Sequence, residues 1–181
     1  MLTDQLYRSD NSWIKLMQRI VLGFGGVTAL KELGYPIEAF HLNEGHAVFA
    51  FVEKARGNNG VELEDLKRKF CYTCHTPVQA GHDRFSEGDI RNVFRDEDAD
   101  LIRKFGREDS GMINLTLLSM NIASSINAVS KRHQEVMQLQ FPEYKDRIKY
   151  VTNGVHPYTW ISKDFLELFK RFHSTLGDIE T

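Results

Sequence analysis

The sequence predicts an α/β fold with a largely parallel sheet, on three observations. Apolar residues at helical spacing alternate with short apolar runs of strand length along the 181 residues. Strands that alternate with helices call for crossover connections, which lay successive strands parallel. Each strand candidate is followed at once by polar, histidine-bearing residues, as expected where ligands bind beyond the carboxyl ends of a parallel sheet.

The elements follow in order. Residues 13–33 carry Ile14, Leu16, Met17, Ile20, Val21, Phe24, Val27 and Leu30 at helical spacing and predict a long first helix, ended by Gly34 and Pro36. Gly23, Gly25 and Gly26 interrupt it. They lack the preceding strand and the GxGxxG spacing of a phosphate loop, so close packing against another backbone is the better reading. A first strand is expected at 37–42, a helix at 45–56 and a turn at Gly57-Asn58-Asn59-Gly60. A helix at 63–69 follows, with Glu62, Glu64 and Asp65 suited to its N-terminus, and leads into a second strand at 70–74. A loop runs to about Phe85, Ser86 caps a helix toward Phe94, and the charged stretch 95–110 is assigned as helix. Residues 114–127 predict one apolar helix lined by Leu115, Leu118, Ile122 and Ile126, before a short third strand at 128–130. A helix at 131–140 stops before Pro142. A fourth strand at 147–152 and an amphipathic helix at 164–176, with Phe165, Leu168, Phe169 and Phe172 on one side, complete the pattern.

Composition narrows the function classes. With 41% hydrophobic residues the chain can bury one sizeable core and is most simply one domain. A net charge of −2 without a dominant Lys/Arg face argues against nucleic acid as a partner, and no apolar run approaches membrane-spanning length. Met1-Leu2-Thr3-Asp4-Gln5 opens without a basic region and apolar stretch, so no secretion signal is expected. Two cysteines in such a chain suit reduced thiols, with the cytosol as the default compartment.

Those cysteines form Cys71-Tyr72-Thr73-Cys74-His75, the pattern of covalent c-type haem attachment. The expected compartment speaks against haem, and no second cysteine pair exists for a closed zinc site. A thioredoxin-like site wants its cysteines opening a helix, whereas Thr76-Pro77 follows here. A nucleophilic cysteine would need Cys74 beside a histidine, but adjacent strand residues such as Cys74 and His75 point to opposite faces. His41-Leu42-Asn43-Glu44-Gly45-His46 resembles the zinc motif HxxEH with one residue inserted, but it crosses a strand end, and no metal site is expected.

The strand ends deliver Asn43-Glu44-Gly45-His46, Cys74-His75-Thr76, Ser130-Lys131-Arg132-His133 and Asn153-Gly154-Val155-His156. Six of the seven histidines lie at or just beyond a strand end, His173 being the exception. Asn, Glu and His side chains converging from several strand ends suit recognition of many hydroxyls, each needing a donor or acceptor. A polar network that merely finishes the sheet rim is the structural alternative.

The stretches LGFGGVTALKELGY, HLNEGHAVFAF, TCHTPVQAGHDRF, NLTLLSMNIASSINAVSKRHQEV and TNGVHPYTWIS follow one another in an order that resembles the α-glucan (glycogen, starch and maltodextrin) phosphorylases, most nearly their bacterial and archaeal branch. The likeness runs from about Leu6 to Ser162. It implies part of a GT-B glycosyltransferase: a partial Rossmann-like parallel sheet with helices on both faces, 1–160 belonging to the N-terminal, glucan-site domain and 161–181 to a helix at the crossing to a second domain. It implies reversible phosphorolysis of α-1,4-glucan to glucose 1-phosphate, with inorganic phosphate as co-substrate and pyridoxal phosphate as cofactor. His75 matches a histidine that contacts the glucosyl unit at the cleavage site, and Asn153 an asparagine bonded to the same sugar; both are the expected catalytic residues. Glu44 and His46 match a substrate pocket beside it, and Trp160 a tryptophan near the cofactor. His82, Asp83, Lys131, Arg132 and His156 are expected to be supporting residues.

Three positions depart from the family pattern. Arg19 ends a run that usually closes on Glu, Ala128 stands for a usual glycine, and Pro157-Tyr158 alters the order before Thr159-Trp160. No stretch resembles the family's glycine-rich cofactor loop, its Schiff-base lysine or its phosphate-binding basic residues. The chain is therefore expected to need the remaining phosphorylase segments, or a second subunit, for activity. A non-catalytic glucan-binding or interaction role is the alternative.

Overall fold

A computed structural model describes residues 2–5, 11–56 and 62–172. The expected turn at 57–60, His173 and the end of the last predicted helix lie outside the described residues.

Four parallel strands form the sheet in the order β1 (Phe40–Asn43), β2 (Phe70–Cys74), β5 (Ser125–Ala128) and β6 (Ile148–Tyr150). Between β2 and β5 a two-residue antiparallel pair, β3 (Arg84–Phe85) with β4 (Ile113–Asn114), closes the long connection. Register places Leu42, Tyr72, Ile126 and Ile148 side by side across the sheet, all buried. One residue on, Asn43, Thr73, Asn127 and Lys149 are neighbours on the opposite face. Because side chains alternate along a strand, one face is apolar and the other polar. Helices flank the sheet, and its polar face carries exposed His41, Asn43, Ser125 and Lys149.

The predicted first helix is three pieces: α1 (Ser12–Ile20), a π-helical turn (Val21–Gly25) and α2 (Gly26–Glu32). Its wide turn presents Gly23 to α3 (Phe49–Arg56), where a Cβ on Gly23 would sit 2.8 Å from the Ala50 amide nitrogen and 2.9 Å from Phe49 Cβ. Close packing therefore explains Gly23, while Gly25 and Gly26 face no such contact. The crossover from β1 to β2 uses α3 and α4 (Leu63–Lys67), and Phe51 meets Phe70 edge-on at 5.3 Å. α5 (Glu87–Val93), capped by Ser86 Oγ accepting from the Asp89 amide, precedes α6 (Asp96–Gly106), which realises the charged stretch as a helix.

The largest correction concerns the third strand. It occupies Ser125–Ala128 rather than 128–130, and α7 (Leu115–Ile122) ends five residues before the predicted limit at 127. Ile126 satisfies a helical count from Leu115, but it also alternates with Ser125 and Asn127. The Ser124 amide and hydroxyl both donate to the Phe70 carbonyl, at 2.8 and 2.9 Å, drawing the chain out of the helix and into the sheet. The first strand is likewise shifted, from 37–42 to Phe40–Asn43. α8 (Lys131–Gln140) follows β5, and β6 leads to the short α9 (Pro157–Trp160) and to α10 (Lys163–Phe172), whose Phe165, Leu168 and Phe172 are exposed. No helix among the described residues is long and apolar enough to cross a membrane.

Candidate functional site

A cleft of about 360 Å³ opens on the polar face at the carboxyl end of the sheet, lined by His41, Asn43, Thr73, His75, Asn127, Val151 and Asn153. Its floor is a hydrogen-bonded row across three strands. The Thr73 hydroxyl donates to Asn127 Oδ1 at 2.8 Å, so it accepts from His41 Nε2–H at 2.7 Å. Each floor side chain is thereby held before any ligand arrives.

The rim is fixed by backbone contacts. Val129, just past β5, accepts the Asn153 N–H at 3.1 Å, which sets the Asn153 loop against the end of β5. His75 follows β2, and its exposed side chain faces the cleft while Cys74 beside it is buried in the core. Glu44, buried after β1, accepts the His75 N–H at 2.5 Å and the Thr76 hydroxyl at 2.9 Å through Oε1, and the Tyr72 hydroxyl at 3.4 Å through Oε2. Its backbone takes φ +59°, a left-handed conformation that side chains other than glycine rarely adopt.

Behind Glu44 lies a second, small cavity of about 20 Å³, lined by Glu44, His46, Thr76, His82, Asp83 and neighbours. Asp83 pairs with Lys15 at 2.5 Å and Arg19 at 2.8 Å. Burial alone would raise the Asp83 pKa, but the Lys15 hydrogen bond and the Arg19 charge outweigh it and hold the carboxyl below its usual value. His46, 3.9 Å from Asp83, has its pKa lowered, first by burial and then by the Arg19 charge. Arg19, the departure from the family run, is thus the buried partner of Asp83. His82 is structural: it bonds Gln140 and Thr116, both at 3.0 Å, and packs on Phe141.

The cysteines are not a joint site. Cys71 and Cys74 stand three residues apart in β2 and so lie on opposite faces of the sheet, which separates sulfurs that a haem or redox pair would need together. Burial, then the Glu44 charge, pushes the Cys74 thiol up to about 12, far from a nucleophilic thiolate at neutral pH. His41 and His46 line different cavities, so the HxxEH-like run does not converge on one point.

The chain is similar in sequence and in fold to known proteins. No family model matches the chain. The chain is 33% identical over 190 residues to glycogen phosphorylase of Aquifex aeolicus (strain VF5), across 94% of this chain and 27% of that protein. It is 33% identical over 186 residues to maltodextrin phosphorylase of Thermococcus litoralis, across 93% of this chain and 22% of that protein.

The chain corresponds to a segment of the α-glucan phosphorylases.

It spans about a quarter of the length of these phosphorylase relatives. Glycogen phosphorylase of Mycobacterium tuberculosis (strain H37Rv) agrees, with 32% identity over 198 residues. Among solved structures, the catalytic domain of starch synthase IV from Arabidopsis thaliana, bound to ADP and acarbose, matches with a TM-score of 0.60 at 12% identity, over 87% of this chain and 33% of that one. That likeness concerns fold alone, an α/β parallel-sheet arrangement of the GT-B type.

Of the phosphorylase residues expected from sequence, His75 and Asn153 line the same cleft. Glu44 and His46 line the small cavity behind it, with Glu44 turned toward the backbone of the His75 loop. Trp160, on α9, is 79% exposed and outside the cleft lining. Lys131 and Arg132 are exposed on α8, and His156 bonds within its own turn, to Thr159 at 2.7 Å. Sequence reasoning named Asn43 and His41 among the strand-end residues without choosing them as site residues, and missed Thr73 and Asn127. The alternation His41-Leu42-Asn43 was a usable signal; Asn127 became legible only once its strand was placed at Ser125–Ala128.

Proposed function

We propose that this chain forms the glucan-facing wall of an α-glucan phosphorylase, which cleaves α-1,4-glucan reversibly with inorganic phosphate to glucose 1-phosphate in the cytoplasm. The observation that carries this reading is the cleft in which His75 and Asn153 share a rim above the fixed row His41, Thr73 and Asn127. A sugar ring presents hydroxyls in several directions, and these side chains offer donors and acceptors from four strands. His75 and Asn153 hold the glucosyl unit at the bond to be cleaved. Glu44 keeps His75 in place, and Glu44 with His46 shapes the pocket behind it. Fixed polar groups of this kind supply positioning and electrostatic stabilisation to an oxocarbenium-like transition state.

In this reading residues 1–160 belong to the glucan-site domain and 161–181 to the crossing to a second domain. The exposure of Trp160, Phe165 and Phe172 suits contact with other phosphorylase segments or a second subunit. It also favours the second reading, a non-catalytic interaction role. Pyridoxal phosphate, when bound in such an enzyme, supplies a phosphate that relays a proton to inorganic phosphate. The residues described here do not make up its site: Trp160 offers one exposed indole face away from the cleft lining, so no step is derived through the cofactor. One wall without the rest of the site positions a sugar but lacks the groups to cleave it, so the 181-residue chain alone turns nothing over.

The test is titration of ¹⁵N-labelled chain with maltopentaose. Shifts centred on 41–43, 75, 127 and 151–153, weakened on the order of tenfold by His75→Ala or Asn153→Ala, are expected. Shifts confined elsewhere, or none at millimolar sugar, would overturn the glucan reading. Release of glucose 1-phosphate from maltopentaose and phosphate by the isolated chain would overturn its inactivity.

A further inference from the structure

The two rim loops follow different strands, β2 and β6. One side chain joins them. His133, buried in the first turn of α8, meets the Thr76 carbonyl through Nε2 at 3.1 Å and receives the Val129 N–H on Nδ1 at 3.4 Å. A carbonyl only accepts and an amide N–H only donates, so the ring donates from Nε2 and accepts on Nδ1. Val129 in turn accepts the Asn153 N–H through its carbonyl. The connection runs from Thr76, next to His75, through His133 and Val129 to Asn153.

We infer that His133 is a positioning residue that sets the spacing of His75 and Asn153 across the cleft. This rests on the reading of that cleft as a glucan site. His133 touches none of the sugar-facing atoms itself and is absent from the cleft lining. Its ring bridges the two backbones just past the point where the β2–β5 ladder ends at Cys74 and Ala128. The Glu44 carboxylate fixes the other side of the same loop, through the His75 N–H and the Thr76 hydroxyl, so His133 governs the Thr76 carbonyl and with it the loop's distance from β5. α8 itself does not depend on the imidazole: Ser130 Oγ caps it by accepting the His133 N–H at 3.1 Å.

The ring's two nitrogens permit a split test. His133→Asn keeps an acceptor near the Nδ1 position and loses the reach to Thr76, whereas His133→Gln reaches toward Thr76 and loses the acceptor for Val129. His133→Phe keeps bulk and loses both. Amide spectra of the full chain are expected to move at His75 and Thr76 in the Asn variant, at Val129 and Asn153 in the Gln variant, and at both loops in the Phe variant, with far-UV dichroism unchanged. Maltopentaose affinity is expected to fall on the order of tenfold in His133→Phe, and adding His75→Ala is expected to cost far less than it does alone, since coupled positions are not additive. Shifts confined to α8, or His133→Phe and His75→Ala losses that multiply independently, would overturn the inference. If His133→Phe fails to fold, the Asn and Gln variants carry the test. If wild type binds no maltopentaose, the glucan reading fails, and the loop-specific amide pattern still decides the positioning role.

Discussion

The backbone N–H of His75 donates to Glu44 Oε1 at 2.5 Å, across 31 residues of sequence. A carboxylate that bonds a backbone amide, the Thr76 hydroxyl and the Tyr72 hydroxyl is engaged in holding the loop rather than in meeting a sugar. Hydrogen bonds to a charged group contribute roughly 1.5–3 kcal/mol each, and orphaning buried donors adds to the loss. Glu44→Ala is therefore expected to destabilise the chain by roughly 3 kcal/mol, and Glu44→Gln by less, because it keeps an acceptor for the amide. Glu44→Gly is expected to lie about 1 kcal/mol above Glu44→Ala in stability, since glycine is at ease at φ +59°. Urea unfolding of the three variants checks the order; equal losses for Ala and Gln would remove the carboxylate's holding role.

Gly23 and Gly26 lie three residues apart and predict opposite outcomes. A methyl at Gly23 meets the Ala50 amide nitrogen at 2.8 Å, and backbone cannot swing aside, so Gly23→Ala is expected to cost about 1–3 kcal/mol. Gly26 has open space and helical backbone, so Gly26→Ala is expected to stabilise by about 0.5–1 kcal/mol. Thermal midpoints that move in the same direction would contradict the packing assigned to the π-helical turn.

Acid sensitivity is expected in two steps. His46 has a folded pKa below its ordinary 6.5, so the unfolded chain binds the proton more readily, and stability falls as pH drops through and below that value. Asp83 has a folded pKa below 3.8, so its contribution is complete above that pH and is lost as pH falls through the lower folded value. Urea midpoints taken from about pH 8 to about pH 3 should show both declines. His46→Gln is expected to flatten the first and leave the second, while Asp83→Asn should lower stability at neutral pH by leaving buried Arg19 without its partner. A midpoint that stays level from pH 8 to pH 5 in wild type, within about 0.1 M urea, would remove His46 from the account.

How much of this was legible depended on the range of the deciding contact. Phe70–Cys74 reads as a strand because its own residues are aromatic, β-branched and closed by Thr76-Pro77. Ser125–Ala128 did not, because its Ile126 fits a helical period as well, and the contact that decides the matter is to Phe70, 54 residues away. His75 and Asn153 could be chosen from strand ends and family resemblance alike. The holding roles of Glu44 and His133 could not, since each depends on partners dozens of residues distant and on which atom of the side chain faces them.

Thr73 offers the most direct probe of the cleft floor. Its hydroxyl is the shared link between His41 Nε2 and Asn127 Oδ1, and valine matches its shape while removing that link. The loss leaves two neighbours to find water or ligand instead, so stability is expected to fall by only about 1 kcal/mol. Sugar affinity should fall more, by about tenfold, because His41 and Asn127 regain rotamer freedom that binding must then remove. Thr73→Ser keeps the hydroxyl and should restore affinity. Isothermal titration with maltopentaose against a urea series separates the two effects. A Thr73→Val chain that binds as wild type does would mean the row of three side chains serves the sheet alone, and the rim residues His75 and Asn153 would then have to carry recognition without it.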